Sequence, residues 1–355
     1  MTQIVKSTPA ARASLAGVAA GADRPAAGEG EPPMDPARLR GELEGCYVTI
    51  PTMFRDPDLE LDLEAIRRHV RWLIAHGLDG RYATFLAGGA AGDFSTMSFE
   101  ERCAVAEAVV EAAAGRVPVA MGAQTTSTAE VRRLAKAAAE RGCRFIQVSC
   151  PFYFQHTEDD FFEHVCAAAD AADIGIIVYN TFWTSAPVSF RLVERLVERV
   201  PNFVGLKWAC PRTDAMEFED VVATFAERLT IIDNHLMFAI SAMLGAKAFE
   251  VHLANYWPEW GVRLIEKVRA QDWKAIQTML VKEAMPFYKL WVEIEKTYTS
   301  GDGYLDKLCM ELVGLDSSRC RPPTRDVRPL YRERCRAMLI RTGCPRVLPA
   351  GSRAP

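Results

Sequence analysis

From about residue 42 to residue 257, short apolar runs rich in β-branched and aromatic residues alternate with longer segments whose apolar positions recur at helical spacing. The strand-like runs are CYVTIP (46–51), GRYATFLA (80–87), VPVAMG (117–122), RFIQVSC (144–150), GIIVYN (175–180), FVGLKWA (203–209), LTIIDN (229–234) and AFEVHLAN (248–255). Between them, LDLEAIRRHVRWLIAHG, TAEVRRLAKAAAERG and FRLVERLVERV each carry one apolar stripe and an opposite charged face. Two of these helices run to Gly77 and Gly142, the residue type that tolerates a left-handed C-terminal position. Alternation of this kind predicts an α/β protein with a parallel sheet, and eight strands predict a closed (β/α)8 TIM barrel. Beyond Pro258 the strand pattern stops, and 258–345 reads as a C-terminal helical region packed beside the barrel. Residues 1–41, rich in Ala, Gly, Pro and Arg, read as a disordered extension, and 346–355 as a disordered tail.

Composition narrows the partners. The 355 residues are 49% hydrophobic and 25% charged, enough to bury one large core. A net charge of -4 without a basic stripe argues against nucleic acid or an anionic membrane as partner. No run of about 18 apolar residues and no charged-then-apolar leader occurs, so a cytoplasmic protein acting on a small molecule is expected. The ten cysteines form no CxxC pair, and most read as small buried hydrophobes.

In barrels of this type, chemistry sits where strands end at the C-terminal face. Tyr179, Asn180, Lys207, Asp233, Asn234, His235 and Asn255 all fall late in, or just beyond, a strand-like run. Lys207 lies within an otherwise apolar strand. Burial favours a neutral amine, which can attack a ketone and form an electron-withdrawing imine. The alternative is a lysine that snorkels to water or pairs with a carboxylate. Tyr179 ends a second strand, where its phenol either moves protons or bonds to the backbone. The glycine-rich segment LAGGAAGDFSTMSFEER leads from a strand into a helix, so its backbone N–H groups can face a carboxylate; Ser98 and Glu101 fit a capping box.

The order GGAAGD…SFEER, SCPFYF, VYN and GLKWA, with IPT near the start and CRPP near the end, resembles the dihydrodipicolinate synthase and N-acetylneuraminate lyase family over roughly residues 45–330. The resemblance implies a (β/α)8 barrel with a helical C-terminal extension, usually assembled as a homotetramer. It implies imine formation with pyruvate or another 2-oxo acid, without a metal or organic cofactor. It further implies Lys207 as the Schiff-base lysine, Tyr179 as the proton-transfer phenol, and Tyr153 as a tyrosine lent across a subunit interface of a tetramer or dimer.

Several positions depart from that pattern. Ala90 and Ala91 stand where the family has two threonines, leaving only the N–H groups of Ala90, Ala91 and Gly92 for a substrate carboxylate. Thr184 stands where the synthases place an arginine, which argues against the lysine-pathway synthase reaction itself. Glu250 and His252 share one face of the eighth run. If that face points into the barrel mouth, they form an acid/base pair replacing the lost hydroxyls; if it points outward, they are a polar pair under a helix. Phe152, Phe182, Trp183, Trp208, Tyr256 and Trp257 either line a pocket for a bulky or aromatic aldehyde or pack in the core. The resulting expectation is a Schiff-base aldolase. A 2-keto-3-deoxy acid dehydratase using the same imine, or a catalytically reduced ligand-binding barrel, are the alternatives.

Overall fold

The computed structural model describes residues 35–181, 183, 186–209 and 215–352. Phe182, Thr184 and the extension up to residue 34 lie outside the described residues. Eight parallel strands close into a barrel in sequence order: β1 (Gly45–Ile50), β2 (Ala83–Ala87), β3 (Val119–Gly122), β4 (Phe145–Ser149), β5 (Gly175–Thr181), β6 (Phe203–Ala209), β7 (Thr230–Asp233) and β8 (Ala248–Glu250). Helix α1 (Pro36–Glu42) precedes the barrel, and α2 (Leu63–Ala75), α3 (Phe99–Ala113), α4 (Thr128–Glu140), α5 (Glu158–Ala169), α6 (Phe190–Arg199), α7 (Ala215–Phe225) and α8 (Phe238–Leu244) follow β1 to β7. All eight strands are continuously buried, because inward side chains fill the barrel and outward ones meet the helices.

The helix boundaries follow from local chemistry. Ser98 accepts from the Glu101 amide at 3.1 Å, and the Glu101 carboxylate accepts from the Ser98 amide at 2.9 Å, completing the predicted capping box. Gly77 and Gly142 have φ of 97° and 78°, the left-handed conformation expected after α2 and α4.

Helix α1 begins inside the segment expected to be disordered. Its Leu39 and the following Leu43 join Tyr47, Leu86, Ala120, Phe145, Ile177, Val204, Ile232 and Ala248 in the barrel interior, closing its lower end. A Cβ at position 205 would stand 2.4 Å from the Leu43 side chain, so a larger residue there would displace Leu43 from the barrel end. Two apolar residues in a short segment leave little periodic signal, yet they fill an end the strands cannot close themselves.

The C-terminal region is helical as expected: α9 (Pro258–Arg269), α10 (Trp273–Met279), a π turn (Leu280–Ala284), α11 (Met285–Thr297), α12 (Tyr304–Leu312) and α13 (Arg328–Thr342). Helix α12 is buried along almost its whole length. Part of the expected tail is tied down: the Leu348 amide donates to Leu312 O at 2.8 Å, and the Arg336 guanidinium donates to the carbonyls of Leu348 and Pro349. The nine described cysteines are buried, and none of them forms a disulfide.

Candidate active site

Alternation along each strand sends every second side chain into the barrel. Tyr179 and Lys207 are register partners on β5 and β6, and Tyr47 and Glu250 are partners on β1 and β8. These four therefore meet near the axis. Lys207, its side chain 5% exposed, brings Nζ to 2.6 Å from Glu250 Oε2. The contact is an ion pair without hydrogen-bond alignment. The ammonium also lies 4.5 Å from the Tyr179 ring centroid and 5.2 Å from that of Tyr47. Of the two sequence readings for Lys207, pairing with a carboxylate is present, but at a cavity wall rather than in sealed packing.

Behind Glu250 the polar contacts continue. Thr49 Oγ1 donates to Glu250 Oε1 at 3.0 Å, and His252 Nε2 lies 3.8 Å from the same oxygen. On the far side of the ring, His252 Nδ1 lies 3.1 and 3.2 Å from the two oxygens of Asp306. Asn255 Nδ2 donates to Thr49 O at 2.9 Å and to Asp306 at 3.4 Å. Burial pulls the His252 imidazole down, but Asp306, Glu250 and Asp302 together push it up to about 9. His252 is therefore cationic at neutral pH. The expected eighth strand is shorter than its apolar run: β8 stops at Glu250, and His252 opens a 3-10 turn over His252–Asn255. Both side chains nonetheless reach the mouth cavity.

Tyr179 accepts a hydrogen bond from Asn234 Nδ2 at 2.9 Å. Burial first, and the Glu250 charge second, push its phenol well above the ordinary tyrosine range, so it holds its proton at neutral pH.

The glycine-rich loop forms a 3-10 turn at Ala90–Gly92. Ala90 and Ala91 line the cavity, and their amides have no acceptor among the described residues. The expectation for Gly92 needs correction. Its N–H is taken by Gly89 O at 3.0 Å, its carbonyl accepts from Thr52 Oγ1 at 2.7 Å, and it does not line the cavity. A 3-10 turn closes on its third residue's amide, so only the first two remain for an anion. Asp93 turns the other way and meets Lys307 Nζ at 2.7 Å.

The cavity encloses about 680 Å³. Its outer wall owes more to the C-terminal region than the sequence indicated. Tyr288, Trp291, Val292 and Glu295 fall at one-face spacing on α11 and line the cavity together. Asp302 enters from the turn before α12, half-buried, where burial pushes its carboxyl up to about 6 against the opposing His252 charge. That turn presses against the loop at Ala91, and Gly303 permits this because a Cβ would stand 2.4 Å from Ala91 O. The helical spacing of 288, 291, 292 and 295 was visible, but nothing local distinguished it from a core stripe.

The remaining candidates disperse. Trp183 lines the cavity, whereas Trp208, Tyr256 and Trp257 are buried in the core and Phe152 packs edge-on to Phe94. His235 packs on Phe218, 5.0 Å between centroids. Tyr153 is 86% exposed, has a left-handed φ of 86°, and does not line its own cavity. No group of three or more His, Cys, Asp or Glu among the described residues is arranged to hold a metal ion, and no described helix is long and apolar enough to cross a membrane.

Comparison with known proteins agrees with the geometry. The model of the dihydrodipicolinate synthetase family matches residues 42–341. A 4-hydroxy-tetrahydrodipicolinate synthase of Thermomicrobium roseum is 30% identical, the match covering 85% of this chain and 95% of that protein. A probable 5-dehydro-4-deoxyglucarate dehydratase of Corynebacterium glutamicum is 27% identical over 82% of this chain and 90% of its own. Among solved structures, a prophage protein of the dihydrodipicolinic acid synthase family from Escherichia coli, in complex with pyruvate, superposes with a TM-score of 0.75 at 21% identity, covering 85% and 99% of the two chains. The dihydrodipicolinate synthase of Aquifex aeolicus gives 0.73 at 24% identity, covering 85% and 99%.

Proposed function

Because this chain belongs to the dihydrodipicolinate synthetase family, we propose that it is a Schiff-base-forming lyase in which Lys207 condenses with the keto carbon of pyruvate or a related 2-oxo acid. One observation carries the reading: a buried lysine presents its amine to a cavity, between a carboxylate at 2.6 Å and a tyrosine ring at 4.5 Å. The amine attacks, water leaves, and the imine draws electrons from the adjacent carbon, so that a carbon–carbon bond there can break or form. The free amides of Ala90 and Ala91 are suited to hold the substrate carboxylate. Tyr179, protonated and held by Asn234, is suited to pass a proton to the reacting oxygen.

The second substrate is an aldehyde with a bulky or aromatic body. Trp183, Tyr288 and Trp291 supply flat apolar walls for it. The lysine-pathway synthase reaction fits less well, since neither Ala90 nor Ala91 carries the family's hydroxyl and the synthases' arginine is replaced by Thr184. The dehydratase relative favours a second reading, in which the same imine acidifies the adjacent carbon and hydroxide is expelled from a 2-keto-3-deoxy acid. Tyr153, exposed and outside the lining of its own cavity, serves the neighbouring copy in a homo-oligomer.

Borohydride added with pyruvate tests the reading by mass spectrometry. A reduced adduct on the wild type, absent in Lys207→Ala, is the expected result. An unmodified mass with pyruvate and a panel of other 2-oxo acids would sink it.

A further inference from the structure

A proton carrier at the lysine is the part the two alanines leave unfilled, and the cavity contains a group in that place. Glu250 is 3% exposed, contacts Nζ through Oε2, and receives Thr49 and faces His252 through Oε1. The imidazole behind it is fixed from the other side by Asp306 and enclosed by Phe287, Tyr288 and Trp291 at 6.0, 6.0 and 4.7 Å between centroids. A buried carboxylate without such neighbours would be costly, and here Oε1 accepts from Thr49 while Oε2 lies in the ion pair with Nζ. The sequence distances from Glu250 to His252 and Asp306 are unlike, so only the packing of α12 against the turn after β8 builds this line.

We propose that Glu250 is the catalytic proton carrier for imine formation at Lys207, and that His252 and Asp306 are positioning residues that hold and charge-balance it. The inference rests on the imine reading above. Imine formation starts from the Lys207 ammonium and the Glu250 carboxylate of the ion pair. Glu250 takes one proton from Nζ, and the freed electron pair forms the C–N bond while the carbonyl pair moves to oxygen. A second proton passes from nitrogen to that oxygen, giving a neutral carbinolamine. Glu250 then returns its proton to the hydroxyl, water leaves, and the nitrogen lone pair closes the protonated imine beside the regenerated carboxylate. Lys–NH3+ and a ketone thus give the iminium and one water, with Glu250 unchanged. The imidazolium at Oε1 favours the carboxylate left behind at each return.

The groups facing His252 are Asp306 and Asp302 from α12 and its preceding turn, Glu250 from β8 with Lys207 beyond it on β6, and Tyr288 from α11. Asp306 is the nearest carboxylate, and removing its charge leaves burial, which depresses the imidazole, more weakly opposed.

Rapid-quench borohydride trapping with pyruvate reads the rate of imine formation directly. Glu250→Gln is expected to slow it by about a hundredfold or more while reaching the same adduct at long times. Asp306→Asn is expected to move the alkaline fall in that rate from near pH 9 to lower pH, and Asp306→Glu to restore it in part. A purely structural role would lower stability without moving the pH limb. Should Glu250→Gln fail to fold, His252→Gln at the cavity wall makes the same comparison, with about a tenfold slowing expected. Wild-type trapping rates in the Glu250 and His252 variants, or an unmoved limb in Asp306→Asn, overturn the proposal and leave the imine standing. No adduct on the wild-type protein overturns the imine reading instead.

Discussion

Two lysines are buried at the mouth of this barrel, each against one carboxylate at nearly the same distance: Lys207 with Glu250 at 2.6 Å, and Lys307 with Asp93 at 2.7 Å. The second pair is sealed. Lys307, on the buried helix α12, lies under the Phe54 ring at 4.7 Å, and neither it nor Asp93 lines the cavity. Burial pushes the Asp93 carboxyl up, whereas Asp93 raises the Lys307 ammonium against the pull of burial. The first pair opens onto about 680 Å³ of space with a tyrosine and a histidine within reach. Identical chemistry is thus a clamp between loop and C-terminal helix in one place and, in the proposed reading, a reactive centre in the other. Access and neighbours decide which, not the ion pair itself.

Substitution should separate the two sharply. Lys207→Met is expected to abolish the trapped adduct entirely while lowering stability only slightly, since Glu250 keeps Thr49 and His252 and borders the cavity; adduct mass and urea denaturation check both halves. Lys307→Met should do the reverse, costing about 3–5 kcal/mol in urea denaturation because Asp93 is left buried without its ion-pair partner, with only Cys320 and the charge of Arg321 beside it, with an adduct still forming in the folded fraction. Equal losses of stability in the two variants would erase the distinction.

The polar line behind Glu250 adds a pH signature of its own. His252 is raised from 6.5 to about 9, so its contribution is fully present below pH 6.5 and is lost as pH rises through about 9. At one pH unit per 1.36 kcal/mol, that contribution is up to roughly 3 kcal/mol. Urea midpoints measured across this window should fall in the wild type, and Asp306→Asn should flatten the curve. The smallest effect is expected at the loop. Ala90→Ser adds one hydroxyl beside amides already available, and should change pyruvate binding by only about fivefold, the worth of one ordinary hydrogen bond; titration calorimetry reads it.

Much of this was legible in the chain. The eight apolar runs locate all eight strands, because a barrel strand is buried on both faces and its sequence shows it. The β6 run coincides with the strand from end to end, whereas the last apolar run overshoots β8, since a buried 3-10 turn is as apolar as a strand. Ser98 with Glu101 is local chemistry and appears as read. Gly92 misled, because which amides of a loop remain free depends on how the turn closes on itself. Asp302, Asp306, Tyr288 and Trp291 carried no signal of their own, being chemistry-bearing residues inside helices or turns far along the chain.

Sequence by itself determined the barrel, the family, and the presence of an amine and a phenol at adjacent strand ends, since these depend on periodicity and on residue types at fixed spacing. Tertiary structure alone decided that Glu250 faces Lys207, that Asp93 does not face the cavity, and that the helical extension walls the site. Alternation says that two residues share a face but not which way the face points. Contacts between the turn after β8 and α12 depend on how two distant segments pack, a matter of shape and burial that no local pattern encodes.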